Sequence, residues 1–219
     1  MVKIFYYEIT TLLRQAHALV TPLLFFILVV MLFSISLGPD VNLLKYLTPI
    51  IIWIAALLAI LLSINQLFRN DLEEGYLDLV ILSPCPLTLF VICKLICHWL
   101  THCLPLIFIS AFFGFLLNLP AAEMTALIVS LLLGTPVLVM LGGIGAALVI
   151  GIRNAGLLLP ILIMPLYIPV LIFGIGTMMA SARLAPLQGY FAMMGALMLL
   201  SLAFAPILTS VALRIGVSQ

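Results

Sequence analysis

Six apolar runs, at residues 19–38, 47–66, 88–117, 124–149, 157–179 and 190–212, constrain this chain more than any motif in it. Each has about 20 residues or more, enough for a helix rising about 1.5 Å per residue to cross ~30 Å of hydrocarbon. The runs are continuous rather than alternating, which argues against a transmembrane β-barrel. With 66% hydrophobic and only 7% charged residues, the chain lacks the charged surface, about 25% of residues, of a soluble domain. The expected fold is an all-α polytopic membrane protein with six transmembrane helices in one domain, residues 1–219. Gly38-Pro39-Asp40 closes the first run, Asn118-Leu119-Pro120 the third, and Arg153-Asn154 marks the turn after the fourth. The third run exceeds what a bilayer needs, and reads as tilted or as starting at the interface.

One segment breaks this pattern. Residues 65–86 hold Asp71, Glu73, Glu74 and Asp78, four of the seven acidic residues, with Arg69 beside them. Ionised side chains at the centre of a membrane helix cost roughly 2.5–3.5 kcal/mol each on insertion scales, so this segment is expected in water. Leu72, Tyr76, Leu79, Val80 and Ser83 recur at helical steps. The spacing predicts one short amphipathic helix, closed by Pro84-Cys85-Pro86 and suited to docking a soluble partner.

Residues 3–18 predict an amphipathic helix in the headgroup plane rather than a secretory signal. With the N-terminus inside, Lys3, Arg14, Arg69, Lys94, Arg153 and Arg214 fall on or near the cytoplasmic side, and Lys45 and Arg183 outside. That asymmetry places both termini and the 65–86 loop in the cytoplasm. A net charge of +1 without a basic patch gives no footprint for nucleic acid.

Within the runs, Gly143, Ala147, Gly151 and Ala155 step by four, as do Gly142 and Ala146. Such ladders permit close helix approach, within the chain or at a subunit interface. Pro160, Pro165 and Pro169 predict a kinked or locally unwound fifth helix. Cys85, Cys93, Cys97 and Cys103 form no CxxC pair and read as buried apolar thiols.

Lys94, His98 and His102, at i, i+4 and i+8, share one face of the third run and form a candidate intramembrane polar site. The histidines have the spacing to share a metal or sit beside a haem, but helix–helix hydrogen bonding or interface anchoring suits them better, and no metal or firmly bound cofactor is expected. The chain carries no GxxxxGK[ST], HExxH or GxSxG motif and no carboxylate pair inside a run. It is therefore not expected to be an enzyme, and ATP would act only through a partner. The missing intramembrane carboxylates also weigh against a gradient-driven transporter, since Asp40 and Glu123 sit at run ends.

The central segment resembles the signature of ABC-2-type permeases, the membrane subunits of one class of ATP-binding-cassette exporters. It reads Asp71-Leu72-Glu73-Glu74-Gly75-Tyr76-Leu77-Asp78, then Leu79 and further apolar residues to Pro84, then Lys94. Tyr76 stands where that pattern has a small hydroxyl residue. The resemblance implies that Asp71, Leu72, Glu74, Gly75, Tyr76, Leu77, Asp78, Leu79 and Pro84 form a coupling helix seated in an ATPase cleft. More narrowly, FRNDLEEGYLDLVILSPCPL, KLICHWLTHCLPL, LLLGTPVLVMLGGIGAAL and LPILIMPLYIPVLIFG resemble the CcmB family, nearly end to end. That likeness implies a bacterial inner-membrane permease subunit of System I cytochrome c maturation. Its implied partners are a CcmA-like ATPase, CcmC-like and CcmD-like membrane proteins and, indirectly, a CcmE-like haem chaperone, with two copies of this chain per complex. Haem enters as a transported or handled ligand. Trp53 and Trp99, in different runs, do not form the tryptophan-rich haem-binding stretch of CcmC proteins, which favours energy coupling over haem binding. The competing expectation is a membrane scaffold that holds partners without transporting anything.

Overall fold

The computed structural model describes residues 16–38, 41–82, 86–152 and 155–217. Most of the expected interfacial helix at 3–18, and Pro84 with Cys85, lie outside the described residues. The described chain is helical throughout, in the order α1 (Ala16–Ser36), α2 (Val41–Ile64), α3 (Arg69–Glu73), α4 (Tyr76–Leu82) and α5 (Leu87–His98). A π-helical turn (Trp99–Cys103) joins α5 to α6 (Leu104–Leu116), followed by α7 (Ala121–Leu148), α8 (Ala155–Ala182) and α9 (Gln188–Val217). Among the described residues, six helices are long and apolar enough to cross a membrane. Their bounds match the apolar runs closely, with one difference. The second stretch runs from Tyr46 on to Glu73. Leu67 and Phe68 are buried, so the start of the 65–86 segment belongs to the base of the core rather than to water.

Helix α7 is the hub, packing most extensively against α9 and α8 and also against α2 and α6. Its small residues make this possible. Trp53 of α2, with no exposed surface, lies between Gly134 of α7 and Gly174 of α8. A Cβ on Gly174 would stand 2.5 Å from Trp53 Cζ2, and one on Gly134 would overlap the same indole and lie 2.9 Å from Met194 Cε. The indole Nε1 donates to Ser130 Oγ at 3.3 Å, which satisfies the only polar atom of a buried tryptophan. Farther along α7, Tyr167 fills the space beside Gly142 and donates its hydroxyl to the Leu138 carbonyl at 2.8 Å. Leu95 lies against Gly143. At these positions the small-residue ladder serves close packing within the chain.

Of the kinked or locally unwound helix expected at the α8 prolines, the unwinding does not occur. Helix α8 is continuous through Pro160, Pro165 and Pro169. The losses are spaced four or five residues apart, so intact backbone bonds flank each one. The irregular turn lies instead in the third span, where the Leu104 N–H reaches the Trp99 carbonyl, five residues back. Pro105 follows at once. In a regular helix its ring would press on the carbonyl of Thr101, and the widened turn relieves that clash.

Candidate functional site

The acidic segment folds as two helices rather than one, and Gly75 is the reason. Its φ is +69°, a conformation costing an L side chain roughly 1–2 kcal/mol. The Glu74 N–H donates to the Asn70 carbonyl at 2.9 Å and the Gly75 N–H to that of Leu72 at 3.1 Å, closing α3 before α4 begins at Tyr76. This break resets the helical phase, so the single stripe expected from 72 to 83 is split. On α4, Leu77 is completely buried, and Tyr76, Val80 and Ile81 are half-buried against the core together with Leu72 of α3. Leu79 and Leu82 point the other way, 67% and 83% exposed, on the same side as the exposed Asp78. Glu73 and Glu74 are exposed as well. The outward face is therefore a pair of leucines with carboxylates around them, and Tyr76 is an inward anchor.

Asp71 also departs from the water-exposed role expected of it. Its side chain is 15% exposed and pairs with Lys94, 8% exposed, on α5. Lys94 Nζ also lies 5.6 Å from the centroid of Phe90, and the Phe90 ring meets Tyr76 edge-on at 6.0 Å. Both short helices thus reach one turn of α5. By contrast, the Arg69–Glu73 pair, at 2.8 Å, is 59% and 63% exposed and contributes a few tenths of a kcal/mol at most. By sequence, Asp71 belongs to the coupling segment and Lys94 to an intramembrane polar site; the fold joins the two. The signal was available: a lysine within an apolar run needs a counter-charge, and the acidic segment holds the nearest ones in sequence.

The remaining polar residues continue up the same face. His98 Nε2 lies 3.1 Å from Ser63 Oγ of α2. His102, inside the π turn, places Nδ1 3.0 Å from Thr101 Oγ1. The two imidazoles stack with centroids 4.1 Å apart and planes 21° from parallel. Face-to-face rings at that separation leave no gap for a porphyrin between them, and both histidines are buried. Trp99 Nε1 donates to Thr135 Oγ1 of α7 at 2.9 Å. His98 and Trp99 thus hydrogen-bond to neighbouring helices, while the His102 ring nitrogen meets Thr101 and the His98 carbonyl of its own helix. Cys93, Cys97 and Cys103 are buried and reduced. Among the described residues, no group of three or more His, Cys, Asp or Glu side chains is arranged to hold a metal ion.

A family profile described as CcmB protein matches residues 1–216. The chain belongs to the CcmB family. Similar proteins include Heme exporter protein B of Pseudomonas aeruginosa, 45% identical over 212 residues, covering 97% of this chain and 95% of that protein. Heme exporter protein B of Haemophilus influenzae is 41% identical over 212 residues, 97% and 96% of the two chains. The Escherichia coli K12 protein of the same name is 40% identical over 215 residues, 98% of each. The all-α architecture of this CcmB chain, with six helices of membrane-spanning length among the described residues, fits an ABC-2-type permease and a multi-pass bacterial membrane protein.

Proposed function

We propose that this CcmB chain is the inner-membrane permease subunit of an ATP-driven haem-handling complex for cytochrome c maturation. In this reading α3 and α4 face the cytoplasm and seat in a CcmA-like ATPase, and two copies of the chain serve two cassettes. CcmC-like and CcmD-like proteins join them, and hydrolysis drives haem export or release of the haem-loaded, CcmE-like chaperone. The observation that carries it is the two-sided character of α4. One side, Leu77 above all, is fixed to the bundle, while Leu79 and Leu82 stand outward beside Asp78. A helix that only sealed the bundle would have no use for two exposed leucines on its water side, whereas leucines with carboxylates around them suit an apolar cleft with a polar rim. The names of the similar proteins support haem as the cargo, and the basic residues near the 65–86 end support the cytoplasmic placement.

Co-purification tests the reading. An ATPase subunit should follow this chain through detergent. Maturation should be lost with a hydrolysis-dead ATPase while assembly survives. A complex that matures cytochromes c normally with the dead ATPase is a scaffold, and the proposal then fails.

A further inference from the structure

We propose that Asp71 and Lys94 form a fixed mechanical joint, through which movement of α3 and α4 enters the third span. This rests on the reading that those helices seat in an ATPase, and adds how the motion is passed on.

The five residues of α3 carry two ion pairs of opposite character. Arg69–Glu73 lies within the helix and is well exposed, 59% and 63%, whereas Asp71–Lys94 links α3 to another helix and is 15% and 8% exposed. Water can replace either partner of the first pair at little cost. Separating the second would strand two poorly solvated charges, so it resists being pulled open. Lys94 is also confined from a second side by Phe90 at 5.6 Å, which in turn meets Tyr76 of α4. Both helices therefore grip the same turn of α5. One turn farther, His98 touches Ser63 of α2, and directly after it the helix widens into the π turn at Trp99–Cys103. A push on α3 and α4 reaches Lys94 through a stiff contact. It is then delivered to the one described stretch of this span whose backbone bonding is irregular. A joint of this kind needs the charges paired, and the direction of the pair is immaterial.

The test uses the assembled complex with its ATPase, in cells lacking the native chain. Asp71→Asn and Lys94→Gln should each retain the bound, hydrolysing ATPase and wild-type chain levels, but lower mature cytochrome c about tenfold, the scale of a lost coupling contact. Lys94→Arg should remain close to wild type. Asp71→Lys combined with Lys94→Asp should recover most of the loss. Wild-type maturation in Asp71→Asn overturns the joint. So does a swapped variant no better than either single variant at equal chain level, or failure of Lys94→Arg. A fall in maturation that only tracks a fall in chain level overturns it too, because the pair then serves stability alone. If the ATPase fails to co-purify even with the unaltered chain, the coupling reading itself has failed, independently of the joint.

Discussion

Replacing Leu79 and Leu82 together with alanine should detach the ATPase without disturbing the bundle. Fully burying a leucine side chain contributes about 1.5–3 kcal/mol, and 67% and 83% of the two residues' surface is still exposed. The surface left for a partner is then worth roughly 2–4.5 kcal/mol in total. Part of that is offset by ordering and imperfect desolvation on association. A net loss of about 2–3 kcal/mol, roughly 30- to 150-fold in Kd, is the expected effect. The assay is titration of purified ATPase onto the detergent-solubilised chain, with Leu77→Ala as a matched control. Leu77 has no exposed surface, so its truncation should cost about 2–5 kcal/mol of stability, read as a lower melting temperature, and affect binding only through that loss. Glu74→Gln should mainly change the association rate and its salt dependence. Binding by the double leucine variant within twofold of wild type, together with loss in a Glu74→Gln, Asp78→Asn variant, would show the carboxylates gripping basic residues and refute the apolar anchor.

Gly75→Ala should cost roughly 1–2 kcal/mol at the α3–α4 break through its positive φ, since a Cβ there meets nothing within 4 Å. Reduced ATPase-dependent maturation at normal chain levels is the outcome to look for, and a fully active Gly75→Val would contradict it. Gly134→Val should destabilise the chain by about 1–3 kcal/mol, read as a lower melting temperature, because Trp53 is held by Gly174 on its other side. Trp53→Phe in the same chain should recover part of that loss, a non-additivity readable in a double-mutant cycle. His98→Leu with His102→Leu should leave haem loading of the chaperone intact, as measured by haem staining. Collapse of the complex's haem spectrum in that variant would instead make the pair axial ligands.

The fold was legible because the bilayer leaves a chain few choices. A run of apolar residues longer than ~30 Å of hydrocarbon requires can only be a spanning helix, and its ends fall where polar or turn residues begin. The limits of that logic lie at Leu67 and Phe68. Composition assigns them to a polar segment, but they are buried because the base of a helical bundle also needs covering. Local chemistry alone also does not say which prolines leave a helix continuous. Each weakens a helix, yet α8 is continuous through three of them, while the irregular turn ends two residues before Pro105.

At the candidate site the faces of the segment differ from those its helical spacing predicts, and a single glycine accounts for this. Helical periodicity can be extrapolated across a segment only while the backbone remains helical. Gly75 interrupts it at φ +69°, so Leu72 and Leu79 no longer share a side even though their spacing says they should. Asp71 and Lys94 illustrate the opposite limit. They are 23 positions apart, beyond any periodicity, yet the physical requirement was local to each: a lysine inside an apolar helix and a carboxylate at the edge of a bundle both need an opposite charge. Of the four carboxylates in the segment, Glu73 is matched within its own helix by Arg69, and Glu74 and Asp78 are exposed. Asp71, on the inner side of α3, is the acid left to meet Lys94. Burial separates carboxylates that look alike in sequence, with Asp71 tying the element to the membrane helix and Glu74 and Asp78 turned toward whatever approaches from outside the bundle.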